Sequence, residues 1–141
     1  MPVPSTQSRT RRASPPVPAP SPVRARRRFT HAHRQRLERV IKHYLKDCYK
    51  RVTSARVSEC AAFVGVTVPY LSRIAPGILG MPLLNYLRQH QIAYAVQLLR
   101  TTPLSAEEIA LRAAFGSVPT FYRWFQVIQG MTPAAFREVM K

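Results

Sequence analysis

The stretch TVPYLSRIA, residues 67–75, is repeated in modified form as SVPTFYRWF, residues 117–125. Both copies open with a hydroxyl side chain followed by Val-Pro, and both carry an arginine six positions after the opening residue, Arg73 and Arg123. The pair Gly80-Met81 also has a counterpart, at the same distance from the second copy. An internal repeat of this kind predicts that one supersecondary unit is built twice.

Each copy predicts the start of a helix. Thr67 and Ser117 are residue types that cap helix N-termini, and a proline two positions later fits the first helical turn, where its missing N–H costs nothing. Helical spacing then divides each helix into two faces. The side chains predicted to point inward are Leu71, Ile74 and Ala75 in the first copy and Phe121, Trp124 and Phe125 in the second.

A short apolar helix is predicted ahead of each copy. One covers 57–64 and stops at Gly65, and the other covers 106–114 and starts from a capping box of Ser105 and Glu108. In both, a small residue (Ala61 or Ala110) lies four positions before the turn residue, which lets two helices approach closely. Each copy therefore predicts a helix-turn-helix unit.

The remainder of the chain from residue 33 onward also follows a helical period. A helix with a basic outer face precedes the first unit, a long helix runs from about 82 to 100, and a last helix begins near Pro133. We find no alternating apolar and polar run that would indicate a strand. The predicted fold is all-α, with helix-turn-helix units at about 57–76 and 105–128.

The charge of the chain is strongly basic. It has 22 Lys and Arg against 6 Asp and Glu, a formal net charge of +16, which favours polyanions such as nucleic acid or an anionic membrane surface. No apolar run approaches the ~18 residues of a membrane span, so no membrane partner is expected. Two cysteines are too few for a disulfide framework and have no metal-binding spacing, so we expect Cys48 and Cys60 to be buried apolar residues.

Residues 1–28 differ in composition from the rest. They contain seven of the 13 prolines, seven arginines and no acidic residue. Such a segment cannot bury enough surface to offset its ordering entropy, so we predict a disordered tail followed by a folded domain over 29–141. The tail is a basic arm that attracts phosphates, a linker from a separate domain, or an organelle transit peptide.

The outward faces of the two repeated helices indicate base reading. Pro69, Ser72 and Arg73 point outward in the first, and an exposed arginine in the N-terminal half of such a helix can bind a guanine edge bidentately. The second helix presents apolar contacts for thymine methyl groups as well, and the capped N-termini at Thr67 and Ser117 suit phosphates. Its outward residues are Val118, Pro119, Tyr122 and Arg123.

Residues 33–139 resemble the DNA-binding domain of the AraC/XylS family of bacterial transcription regulators. The resemblance is carried by YLSRIAPGILGMPLLNYLRQHQIAYAVQLLR and LSAEEIALRAAFGSVPTFYRWFQVIQGMTPAAFR. It implies seven helices, with two recognition helices inserted into adjacent major-groove segments of double-stranded DNA. The positions that match family base contacts are Pro69, Ser72, Arg73, Val118, Pro119, Tyr122 and Arg123, and Gln126 matches a position that meets the DNA backbone.

The chain departs from the family pattern at three places. Ala75-Pro76 replaces a Phe-Lys pair, which predicts a missing core aromatic, a missing phosphate contact and an early end of the first recognition helix at Pro76-Gly77. Gln126 stands where Lys is usual, and Ala114 stands where Gly is usual. We therefore expect the second unit to carry more of the sequence specificity than the first.

Three classes of function can be weighed against this sequence. The sequence favours a sequence-specific regulator that acts as a monomer in the bacterial cytoplasm and nucleoid. RNA polymerase is expected as a further partner, and no effector pocket is expected in this chain. The alternative is a non-specific binder of nucleic acid or anionic surfaces with a degenerate first unit. An enzyme is not expected, since the chain has one aspartate, and the pair His31 and His33 predicts a solvated helix start rather than a metal site. No cofactor is expected.

Overall fold

A computed structural model describes residues 29–141 of the chain, and the predicted tail lies outside the described residues. Within that range the fold is all-α and consists of seven helices without a strand. They are α1 (His31–Arg51), α2 (Val57–Val64), α3 (Val68–Leu79), α4 (Leu83–Thr101), α5 (Ala106–Arg112), α6 (Val118–Gln129) and α7 (Pro133–Val139).

The sequence repeat is a structural repeat. The helices α3 and α6 both have 12 residues, start after a hydroxyl N-cap with a proline in the first turn, and end at a glycine with positive φ. Those glycines, Gly80 and Gly130, have φ of 81° and 76°, which only glycine adopts without strain. The chain thus forms one unit from α1, α2 and α3 and a second from α4, α5 and α6.

The prediction that Pro76-Gly77 ends the first recognition helix is wrong. The helix α3 continues through Pro76 to Leu79, and the N–H of Gly80 donates to the carbonyl of Pro76 at 2.9 Å. Proline removes one bond to the carbonyl four positions earlier, but Ile78 and Leu79 in the next turn are buried in the core. Their burial holds the last turn of α3 in place.

Two further details differ from the sequence predictions. The helix α5 ends at Arg112 rather than 114, because Ala113 leaves the helix and Ala114 adopts a left-handed conformation with φ of 66°. On α4, Leu84 is exposed, whereas the neighbouring Leu83 is buried. The start of α1 is two residues earlier than expected, since Thr30 forms a capping box there.

Each unit has its own hydrophobic core. The first core lies among α1, α2, α3 and the start of α4, and the second among the rest of α4, α5, α6 and α7. Cys48 and Cys60 are free and buried in the first core, as predicted. The second core is richer in aromatic rings, with Phe121 in contact with Phe115 and Phe125 at ring-centre distances of 5.2 and 5.6 Å.

Candidate nucleic-acid interface

The helices α2 and α3 meet at a steep angle. Their axes are bent by 86° across a short turn in which Gly65 has φ of 96°. Ala61 at the crossing is 1% exposed, because the two helices approach so closely that only a small side chain fits between them. Among residues 29–141 no single helix is long and apolar enough to cross a membrane, although this bent pair taken together meets that criterion.

The outer face of α3 carries the residues predicted for the first unit. Leu71 and Ala75 are fully buried, while Pro69, Ser72 and Arg73 are exposed on the other side. The guanidinium of Arg73 lies 5.8 Å from the centre of the Tyr70 ring, a distance at which a cation is attracted to the ring face. This contact holds the Arg73 side chain over the exposed surface of the helix.

The outer face of α6 is similar, with one exception. Pro119, Tyr122, Arg123 and Gln126 are exposed, as their predicted roles require. Val118, which was also predicted to point outward, is half-buried and packs against the second core. Its side chain is therefore only partly available to a ligand.

Tyr122 is held by a neighbour in α5. Its hydroxyl donates to the Glu107 carboxylate at 3.4 Å. Partial desolvation, together with that carboxylate, raises the pKa of Tyr122 above its ordinary value. Glu107 thus orients the hydroxyl at the exposed face of α6, where the phenol oxygen can still accept a hydrogen bond.

The N-termini of both helices are capped as predicted. The hydroxyl oxygen of Thr67 accepts from the N–H of Tyr70, and that of Ser117 accepts from the N–H of Thr120, both at 3.3 Å. Each cap satisfies one N–H of the first turn and leaves others free at the positive end of the helix dipole. Such an N-terminus can accept a phosphate oxygen.

The basic outer face of α1 is a surface that base-contact reasoning overlooked. Five of its side chains are exposed at alternating spacings of three and four residues, so they form a stripe along one side of the helix. No ion pair within residues 29–141 involves them. The signal was present in the sequence as a helical period of positive charge. The residues are Arg36, Arg39, His43, Lys46 and Lys50.

Of the two histidines at the start of α1, His33 has a structural role and His31 is exposed. The N–H of Thr30 donates to Nδ1 of His33 at 2.9 Å, which completes the capping box of the helix. Across the described part of the chain, no group of three or more His, Cys, Asp or Glu side chains is arranged to hold a metal ion.

Known proteins resemble this chain in sequence and in structure. A family described as a helix-turn-helix domain matches residues 60–138. The HTH-type transcriptional activator AarP of Providencia stuartii is 35% identical over 81 residues, which are 57% of this chain and 60% of AarP. The F1 operon positive regulatory protein of Yersinia pestis is 34% identical over 77 residues, 55% of this chain and 26% of that protein. The matched region is thus less than two thirds of either relative.

Two solved structures extend the likeness to the fold. The DNA-binding domain of AdpA, a global transcriptional factor solved in complex with a target DNA, superposes with a TM-score of 0.64 at 25% identity, covering 73% of this chain and 90% of that chain. The C-terminal domain of the two-component response regulator yesN from Fusobacterium nucleatum gives a TM-score of 0.63 at 28% identity, covering 71% and 96%.

Proposed function

This chain belongs to the AraC-type family of helix-turn-helix DNA-binding transcription regulators, and from that premise we propose that it is a sequence-specific regulator that reads DNA with α3 and α6. Its relatives and its fold are those of a regulator and not of an enzyme. The proposed reading surface consists of Pro69, Ser72 and Arg73 on α3, and Val118, Pro119, Tyr122 and Arg123 on α6, with Gln126, Thr67 and Ser117 at the backbone.

The observation that carries the proposal is the equivalent placement of Arg73 and Arg123. Both are exposed, and both occupy the sixth position of a capped 12-residue helix. An arginine so placed can donate two hydrogen bonds to the O6 and N7 of a guanine, which discriminates against the wrong base by about 1–3 kcal/mol. Two such helices in one chain supply two separate readings.

We propose that the second unit supplies more of the specificity. Beside Arg123, the exposed face of α6 offers the ring and hydroxyl of Tyr122, so it can contact both an apolar methyl group and a polar base edge. On α3, Pro69 and Ser72 provide little side chain, and the exposed ring beside Arg73, that of Tyr70, already contacts its guanidinium. Pro76 stands where a cation would reach a phosphate. Half-buried Val118 contributes less than the other positions.

A single chain is sufficient for two readings. Successive major-groove segments on one side of DNA lie about 34 Å apart, and a regulator with one recognition helix must dimerise to reach both. Here α4 connects the two units within the same chain. The proposal therefore includes binding as a monomer, with bending of the DNA if the two helices lie closer together than the grooves.

The proposal extends to the setting in which the protein acts. A regulator that reads the chromosome works in the cytoplasm at the nucleoid. RNA polymerase is the proposed protein partner, as the matched relatives include proteins described as a transcriptional activator and a positive regulatory protein. We propose that the domain itself acts without a small-molecule effector.

The experiment that tests this function is a selection of genomic DNA fragments by the full chain at about 150 mM salt, where non-specific phosphate binding is already weakened. Fragments that share two short half-sites about one helical turn apart are expected. One shared half-site would assign the reading to a single unit.

The second candidate, a non-specific polyanion binder, is supported by the basic stripe on α1. Its exposed cations could hold any nucleic acid through phosphate contacts alone. In the same selection this candidate predicts no shared sequence, and binding that decays steadily as salt is raised. That outcome would replace the proposed function.

A further inference from the structure

A buried glutamine holds the turn at which the two units meet. Gln91 on α4 is fully buried and is the one buried polar side chain within residues 29–141. Its Nε2 donates to the carbonyls of Ala113 and Ala114 at 2.9 and 2.8 Å. Both carbonyls lie where the chain leaves α5, so they have no helical partner and the side-chain amide satisfies them.

The same turn also touches the first unit directly. The N–H of Ala55, in the loop between α1 and α2, donates to the carbonyl of Ala114 at 2.9 Å. Ala114 itself is 1% exposed and packs in the core of the first unit. A Cβ on Gly116 would overlap the side chain of Ser54 in that loop, and Gly116 has φ of 79°, so both the packing and the backbone conformation favour glycine here.

Arg88 extends these contacts to the second recognition helix. Its Nη1 donates to Oε1 of Gln91 at 2.8 Å, so the amide of Gln91 is used at both ends. The guanidinium lies 5.4 Å from the centre of the Phe115 ring and 6.0 Å from that of Trp124, which is on α6. Its Nε has no hydrogen-bond partner among the described residues, so the rings supply its remaining contacts.

We call this set of contacts the joint, defined by Ser54, Ala55, Arg88, Gln91, Ala114 and Gly116. Two of its members depart from the repeat. The first and fourth helices end at Arg51 and Thr101, and at that offset position 91 corresponds to Ile41 in the first unit, which is also fully buried but apolar. Gly116 is an additional residue in the turn after α5. Three residues lie between Ala114 and Val118 in the second unit, whereas two lie between Gly65 and Val68 in the first. The second unit therefore differs from the first at the residues through which the two units contact each other.

We infer that the joint fixes the separation and rotation of α3 relative to α6, and so makes the spacing between two DNA half-sites a determinant of specificity. Gln91 acts as a positioning residue, which touches no base but sets where Arg123 lies relative to Arg73. The physical reason is that one buried amide holds α4 to the turn after α5, and that turn in turn bonds the loop between α1 and α2. This inference rests on the proposed function.

The test uses the full chain and two DNA fragments. One carries the two half-sites from the selection at their native spacing, and the other has two base pairs inserted between them, which rotates one half-site by about 70° around the DNA axis. We expect wild type to bind the second fragment about tenfold more weakly or worse. In Gln91→Leu, which keeps the volume but loses the amide, we expect this ratio to fall several-fold.

A matched control separates positioning from stability. Ile41→Val, at the equivalent buried position of the first unit, should lower the thermal midpoint and leave the ratio unchanged. If Gln91→Leu lowers the midpoint and likewise leaves the ratio unchanged, Gln91 only fills the core and the inference is overturned. Equal binding of both fragments by wild type would also overturn it.

A second variant covers the case in which Gln91→Leu does not fold. Gly116→Ala puts a methyl group against the Ser54 side chain and strains the left-handed backbone at position 116, so the ratio should fall. Adding Ser54→Gly removes the contact but not the strain, so it should raise the ratio part of the way. A ratio that stays at the wild-type value in both variants would contradict the role of the joint in positioning the two helices. If the selection yields no shared sequence, the proposed function is wrong and the inference falls with it. If it yields two half-sites but binding does not depend on their spacing, only the inference is wrong.

Discussion

Ala75 and Phe125 occupy the same position in α3 and α6, and both side chains are fully buried. Phe125 makes edge contacts with Phe121 and Phe136 at ring-centre distances of 5.6 and 5.8 Å, and the first core has only a methyl group at that place. The two recognition helices are thus equal in length, but at this position a ring anchors α6 and only a methyl group anchors α3.

The anchoring of α6 can be measured directly. Phe125→Ala removes a buried ring from the second core and should lower the free energy of unfolding by about 3–5 kcal/mol. Urea denaturation followed by far-UV circular dichroism gives the value. Tyr122→Ala, on the exposed side of the same helix, should change stability by no more than about 0.5 kcal/mol. Equal losses for the two variants would contradict the assigned faces of α6.

Arg123 should discriminate one base pair. Arg123→Ala is expected to weaken binding to the selected site by about 1–3 kcal/mol and to lose preference at a single position, because the bidentate contact to one base is gone. Fluorescence anisotropy with a set of single-base-pair variants of the site measures both effects. Lys46→Ala, on the α1 stripe, is the control: any loss there should be uniform across all sequences. If Arg123→Ala also weakens every sequence alike, base reading by this residue is excluded.

Val52 is expected to be a site of stored strain. It ends α1 with φ of 54°, and its side chain is 52% exposed, so little packing compensates the left-handed backbone of a β-branched residue. Val52→Gly should raise the free energy of unfolding by about 1 kcal/mol. In contrast, Val127→Gly, at an exposed position inside α6, should lower it by roughly 0.5–1 kcal/mol. Thermal denaturation of the two variants side by side tests the opposite signs.

His90 should make stability depend on pH. Burial, followed by the nearby Lys42 ammonium, lowers the pKa of His90 in the folded protein. The unfolded chain, with a histidine pKa of about 6.5, therefore takes up the proton first, and stability should fall as pH drops from about 6.5 toward the lowered folded value. Urea midpoints measured between about pH 7.5 and 5.5 should show this fall.

The variant His90→Gln should flatten that pH dependence. His43→Gln, which replaces an exposed histidine on α1, serves as the control and should leave the wild-type slope. An unchanged slope in His90→Gln would assign the acid sensitivity to other groups.

Much of the fold followed from residues close together in sequence. Hydroxyl N-caps at Thr67 and Ser117, first-turn prolines and the stop at Gly65 act within one helical turn, so their local chemistry predicted the starts of α3 and α6 and the end of α2 correctly. The alternation of buried and exposed faces followed from the helical period for the same reason. The assigned DNA contacts remain proposals, although all but Val118 are exposed as their roles need.

The failures arose where distant residues outweighed a local preference. Pro76 breaks one hydrogen bond of α3, but burial of Ile78 and Leu79 against other helices keeps the helix intact. Gln91 drew no attention in the sequence, since a single polar residue on a long helix has no local meaning. Its partners at Ala113 and Ala114 lie more than 20 positions away.

The sequence by itself determined that this protein contains two helix-turn-helix units with an arginine at the same outward position in each, because caps, turns and periodicity depend on neighbouring residues. Only the tertiary structure decided how the two units are joined. That arrangement depends on carbonyls, a buried amide and a close backbone approach contributed by three separate segments, and such groups meet only after the chain has folded.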